Sequence, residues 1–320
     1  MKRMLSLFCA LAMVWTLSAC GAAGAGDSLE SPEDASAGEL VRFTDDLGRE
    51  VELSRPKRVA VLIGSFADIW CLAGGRETIV AASDNAWTDF DLNLPGDVAH
   101  LGSTKDTNLE NLIAAEPDLV LASSNTTANV ELLETFERMG LPSAYFQVST
   151  FDEYLRMLEI CTRLTGHEEN YDTYGRAVGA RVEAAKARAT GTNPTALYVR
   201  ASGSSCKVKN SQDSVLGEML ADLGCVNIAD SNTGLLENLS LETIVALDPD
   251  YIFVVLQGGD SSGAQAMFES TLLSNPAWNG LCAVREGRYY TMDDHLYNLK
   301  PNARWGEAYE QLADILYPAS

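Results

Sequence analysis

A chain of 320 residues, 46% apolar and 21% charged, has room for two domains and enough apolar side chains for a core in each. Its formal net charge of −22 argues against nucleic acid as a partner, because such a surface repels phosphates instead of releasing their counterions. Loss of a leader that holds Lys2 and Arg3 and no acid would take the charge to −24 (−22 minus 2).

Residues 1–20 read as a targeting segment: a basic start, then an apolar run over 5–17. That run is shorter than the roughly 20 residues a membrane span requires. It ends in Leu17-Ser18-Ala19-Cys20-Gly21, which resembles the lipobox of bacterial lipoproteins. The resemblance implies that Cys20 is lipidated, becomes the first mature residue and anchors the protein to a membrane outside the cytoplasm. Residues 21–39, rich in Gly, Ala, Ser and acids, are expected to be a flexible tether with a span of about 25 Å. Export permits disulfides. Cys71 and Cys161 fall on apolar helix faces, whereas Cys206 with Cys225 is a pairing that spacing leaves open.

An N-terminal α/β lobe is expected over 40–150. Strands at 58–63, 79–82, 119–122 and 144–148 alternate with helices, the pattern of a mainly parallel sheet covered on both faces. Residues 151–190 form a linking helical segment. Tyr154, Met157, Leu158, Cys161 and Leu164 recur every three or four residues, Gly166 interrupts, and Tyr171, Tyr174, Val178, Val182 and Ala185 resume the rhythm. An unbroken helix over 168–189 would make a rigid rod of about 33 Å. The C-terminal lobe, 194–320, starts with a strand at 196–200 and a polar loop at 201–212, and ends in a helix at 303–316. The fold class is therefore two doubly wound α/β lobes joined by one long helix.

An internal repeat supports this division. Residues 108–121 and 240–253 each carry a capping residue, Leu-Glu, an apolar helix, then Pro-Asp opening an apolar strand. Each Pro ends its helix because it lacks an N–H and restricts the residue before it.

The lipobox, the opening Phe43-Thr44-Asp45-Asp46-Leu47-Gly48-Arg49-Glu50-Val51, the run Pro56-Lys57-Arg58-Val59 and the doubled Leu-Glu…Pro-Asp phrase together resemble one family. They are similar to the helix-hinged, class III substrate-binding proteins of ABC importers for iron-siderophores, haem and vitamin B12, over about residues 40–320. The resemblance implies two lobes closing on a shallow cleft with small opening motions. It further implies that Glu110 and Glu242, the glutamates of the two Leu-Glu pairs, dock into arginines of the permease. Each also has a local role, since a carboxylate in a helix's first turn is stabilised by the macrodipole by about 0.3–1 kcal/mol.

Ligands of α/β sheets bind beyond the carboxyl ends of the strands. In the first lobe this singles out Trp87, Lys105 and Asn125; in the second, Arg200, Lys207, Tyr297 and Arg304. Cations gathered there in so acidic a chain suit an anionic ligand, and Trp87 and Tyr297 suit a flat or apolar one. Three histidines, His100, His167 and His295, are too few for a bare metal ion, so no protein metal site is expected. No Gly-x-Ser-x-Gly, HExxH or P-loop is present, and the adjacent pairs Asp45-Asp46 and Asp293-Asp294 would point to opposite faces of a strand. The expectation is a monomeric binding protein, not an enzyme, with no resident cofactor. Its cargo would be a ferric siderophore or other iron chelate, haem included, and its partners an ABC permease and ATPase. The alternative cargo is cobalamin or another corrinoid.

Overall fold

The computed structural model describes residues 40–318, except 213, 259 and 260. The leader, Cys20 and the tether lie outside the described residues.

An antiparallel hairpin comes first, β1 (Val41–Thr44) with β2 (Glu50–Leu53). Asp45 organises its turn by accepting the backbone N–H of Leu47 and Arg49 and pairing with the Arg49 guanidinium at 2.6 Å. Its Oδ2 also accepts the Tyr145 N–H, while Asp46 accepts the Gln147 N–H and pairs with Arg156. Both carboxylates are therefore occupied in fastening the hairpin to the first lobe.

That lobe is built on β3 (Val59–Val61), β4 (Ile79–Ala82), β5 (Ala99–His100), β8 (Leu119–Ser123) and β9 (Ser143–Phe146). The sheet is wholly parallel, in the order β5-β4-β3-β8-β9. Every residue of β3, β8 and β9 is buried, as expected of parallel strands covered on both faces. A small hairpin, β6 (Gly102–Ser103) with β7 (Asp106–Thr107), carries Lys105 in its turn.

The second sheet holds β10 (Thr195–Ser202), β11 (Ser205–Lys209), β12 (Val226–Asn227), β13 (Tyr251–Leu256) and β14 (Tyr289–Met292). Its order is β11-β10-β13-β14, with β12 also on β10; all pairs are parallel except β10-β11. The stretch 201–212, expected as a loop, contains this antiparallel strand, and Arg200 lies directly opposite Lys207.

The repeat is visible in three dimensions. The helix Leu109–Ala114 is capped by the Asn108 side chain and Leu241–Leu247 by Ser240, each accepting the N–H three residues on. Glu116 and Asp248, just before Pro117 and Pro249, both have positive φ (46° and 38°). The following aspartates do the same job. Asp118 accepts the N–H of Lys57 and Arg58 at 2.9 Å, just ahead of β3, and Asp250 accepts the N–H and hydroxyl of Thr195 at 2.8 Å, at the start of β10.

Between the lobes runs the helix Phe151–Thr165, started by a reciprocal Thr150/Glu153 capping box and stopped by left-handed Gly166. A second helix follows as Glu169–Tyr171, a π-helical stretch Asp172–Arg176, and Ala177–Lys186. It is thus shorter than the expected 168–189 and carries a π-bulge. Val178, Val182 and Ala185 bury one face of it, and the Arg181–Glu310, Lys186–Asp222 and Arg188–Asp314 pairs bind it to the second lobe. Close approach of the final helix, Trp305–Leu316, depends on Gly306, where a Cβ would fall 2.8 Å from that of Arg181. One apolar core runs from Trp70 and Phe146 through Tyr154 and Leu158 to Tyr198, Phe253 and Trp305, so the lobes share buried surface.

Candidate ligand-binding groove

Three cavities adjoin at the carboxyl ends of β10, β13 and β14. The middle one, about 470 Å³, lies between Thr88 and Asp89 of the first lobe and Gln257, Thr291, Asp294 and His295 of the second. Asp89 and His295 also line a cavity of about 280 Å³ with Asp68, Phe90, Lys300 and Arg304. Gln257 also lines one of about 90 Å³ with Arg200, Ser202, Ser205 and Lys207. Shared walls make these a single groove, placed where α/β sheets hold ligands. A larger cavity, about 780 Å³, opens at the opposite ends of β4 and β5 and lies wholly within the first lobe.

The groove is held in place across the lobes by Asn302, which is fully buried. Its amide donates to the Ser65 carbonyl at 2.9 Å and to Asp68 Oδ2 at 2.8 Å. Burial raises the Asp68 carboxyl above its ordinary value, and the Asn302 bond partly offsets this. Burial likewise raises Asp294, against the Gly258 N–H that favours its ionised form. For Lys300 the same cause acts in the opposite direction. Its ammonium is pushed down to about 8 by burial, with nearby Glu153 opposing and Arg200 reinforcing the shift. The groove therefore has cations at both ends, with carboxylates in its middle and beside Lys300.

A fold of this kind, with its groove at the strand ends, has a match among known families: the model of the periplasmic binding protein family fits residues 59–296, well over half the chain. The chain belongs to the periplasmic binding protein family. It is a substrate-binding protein of the extracytoplasmic kind and not an enzyme. It is similar to the Fe(3+)-citrate-binding protein YfmC of Bacillus subtilis, 24% identical over 257 residues that cover 78% of this chain and 77% of the relative. A vitamin B12-binding protein of Pectobacterium atrosepticum is 25% identical over 224 residues, 68% of this chain and 78% of that one. Among solved structures, the periplasmic heme-binding protein RhuT from Roseiflexus sp. RS-1, in apo form, shares the fold with a TM-score of 0.66 and 21% identity, covering 82% of this chain and 98% of its own.

In this periplasmic binding protein, Arg200 and Lys207 line the narrow end of the groove, and Arg304 lines the other end. Arg304 is clasped by Glu307 through two bonds of 2.8 and 2.9 Å. Tyr297 is placed differently from the expectation. It is 1% exposed and its hydroxyl donates to the Ala308 carbonyl at 2.9 Å, so it packs inside the lobe and presents nothing to a ligand. Lys105 and Asn125 are exposed at first-lobe turns, and Trp87 stacks on His100 with centroids 4.0 Å apart; none of the three lines the groove's cavities. Asp89 was not singled out from sequence, although it directly follows the short helix Asn85–Thr88 beyond β4. Gln257, directly after β13, and Lys300, beyond β14 and the helical turn Asp294–Tyr297, lie in stretches the sequence places at the strand ends, and both line the groove. Cys206 and Cys225, the open pairing, are both free thiols, as are Cys71, Cys161 and Cys282.

Proposed function

We propose that this chain is the substrate-binding lipoprotein of an ABC importer, capturing a ferric siderophore or another iron chelate, haem included, outside the cell and delivering it to the permease and its ATPase. The observation that carries this reading is the groove between two lobes of a periplasmic binding protein, with Arg200 and Lys207 at one end and Lys300 at the other. An Fe(3+)-citrate-binding relative supports iron as the cargo. In this reading Cys20 carries the lipid, the protein acts as a monomer, and Glu110 and Glu242 meet the permease. Both glutamates are exposed, in the first turns of the two repeat helices.

Titration of the purified protein with ferric citrate, a ferric hydroxamate, a ferric catecholate, haem and cobalamin, followed by tryptophan fluorescence, tests the reading. Saturable quenching by an iron chelate without turnover is the expected result. The second reading, a corrinoid receptor, has the vitamin B12-binding relative in its favour and predicts saturation by cobalamin alone.

A further inference from the structure

Among the described residues, Arg42, Arg49, Arg156, Arg176, Arg181, Lys186, Arg188, Arg288 and Arg304 form ion pairs. Of the cations without such a pair, three line one groove. Among the described residues, no carboxylate forms an ion pair with Arg200, Lys207 or Lys300. Arg200 donates to a neutral acceptor, Asn298 Oδ1, at 3.0 Å. Lys207 lies directly across the antiparallel pair from Arg200, which puts two like charges on one face of the sheet, an unfavourable arrangement without an anion nearby. Glu153 is the one acid that acts on Lys300, and its carboxylate is already occupied by the N–H groups of Ser149 and Thr150 and the amide of Gln147. Partly buried and unpaired, the Lys300 ammonium lacks the counter-charge that burial demands.

We infer that Arg200, Lys207 and Lys300 are the anion-binding groups at the two ends of this groove, and that its ligand is a ferric chelate with free carboxylates, of the hydroxycarboxylate class, rather than an uncharged hydroxamate chelate or a corrinoid. The inference rests on the iron-chelate reading above and narrows it. The narrow end, about 90 Å³ beside the Ser202 and Ser205 hydroxyls, has the scale of a carboxylate group, not of a ring system. Arg200 keeps guanidinium N–H groups beyond the one given to Asn298, and these suit the charge-assisted bonds a carboxylate accepts. Asp89 and Asp294 in the middle would repel carboxylates and favour the ferric centre there. A ligand with negative ends around a metal cation matches this order of charges. A neutral ligand would leave the partly buried Arg200 and Lys300 covered without a counter-charge.

Calorimetric titration of the purified protein with ferric citrate, a ferric hydroxamate and cobalamin decides the matter, using Arg200→Gln, Lys207→Gln and Lys300→Gln. Arg138→Gln, a surface change of the same charge on the helix Leu133–Met139, serves as control. Ferric citrate is expected to bind, each groove substitution to weaken it about tenfold, and the control to leave it unchanged. Thermal melts check folding, and should Arg200→Gln fail to fold, exposed Lys207 supplies the decisive variant. Wild-type affinity in all the folded groove variants overturns the inference. So does tight binding of the hydroxamate or cobalamin in place of ferric citrate, but that result leaves the importer reading standing. If none of the three binds, the inference falls, and failure of the catecholate and haem as well removes the importer reading with it.

Discussion

The two lobes are built on the same helix–strand unit and use the ends of their strands in opposite ways. In the first lobe several polar groups there are turned inward, although Thr88 and Asp89 line the groove. Asn85 accepts the Gly64 N–H at 2.8 Å and the Ser83 hydroxyl at 2.6 Å, and a Cβ on Gly64 would sit 2.7 Å from the Asn85–Ala86 backbone. Buried Asn129 accepts the Ser123 N–H and donates to the Thr104 carbonyl, locking the end of β8 to the Lys105 hairpin. In the second lobe, Arg200, Lys207, Gln257 and Lys300 face the groove with few or no internal partners. Similar scaffolds thus divide the work. The second-lobe wall brings Arg200, Lys207 and Lys300 to the groove, and the first-lobe wall brings Asp68 and Asp89.

The largest effect should come from the feature the lobes share. Glu110 and Glu242 occupy equivalent first turns and lie outside the groove linings, so reversing both with Glu110→Arg and Glu242→Arg should abolish stimulation of the permease ATPase in reconstituted vesicles. Ligand affinity should be unchanged, and each single reversal should give an intermediate loss. Full stimulation by the double variant would show that the repeat serves only folding.

A smaller effect separates the two Pro-Asp carboxylates. Asp250 holds both the N–H and the hydroxyl of Thr195, whereas the Asp118 bonds lie at the exposed edge of the first lobe. Hydrogen bonds to a charged group contribute about 1.5–3 kcal/mol when shielded and less when exposed. Asp250→Ala should therefore cost about 2–3 kcal/mol in urea unfolding and Asp118→Ala about 1 kcal/mol. The Thr195 N–H also holds the Asp250 carboxyl below its usual range. Because the folded value is depressed, this stability is complete above the unfolded value of about 3.9 and is lost as pH falls through the folded one. Asp250→Asn should then show a shallower loss of stability below about pH 4 than the wild type. A larger cost at Asp118 would break the comparison.

Sequence made the scaffold legible because its signals are local. Asn108 and Ser240 announce helix starts, Pro117 and Pro249 announce helix ends, and the apolar runs after them are long enough to be buried strands. The strand Ser205–Lys209 was hidden because Ser205, Lys207 and Lys209 are polar and only Val208 is buried; its place is fixed by pairing with β10 and not by a continuous hydrophobic face. The π-bulge at Asp172–Arg176 leaves the apolar rhythm almost unchanged and so gives no sign of itself. The groove was half legible. Position after a strand end identified Arg200 and Lys207, but whether a cation there is paired depends on neighbours far along the chain. Arg304 finds Glu307 three residues away, whereas the acid acting on Lys300 comes from the linking segment and is already occupied.

Tyr297 gives the finest test of the division between wall and core. It stands between His295 and Lys300, both of which line the groove, yet the helical turn Asp294–Tyr297 directs its ring into the lobe. Burial raises its phenol well above the usual value, so the hydroxyl is a neutral donor to Ala308 throughout the working pH range. Tyr297→Phe removes one neutral hydrogen bond and no apolar surface. The Ala308 carbonyl lies within the final helix and keeps its helical partner. The expected cost is about 1 kcal/mol in a thermal or urea melt, with chelate affinity unaltered. An affinity loss of tenfold without a matching drop in stability would mean that the ring turns outward when ligand is bound, and that the second lobe's wall includes an aromatic as well as its charges.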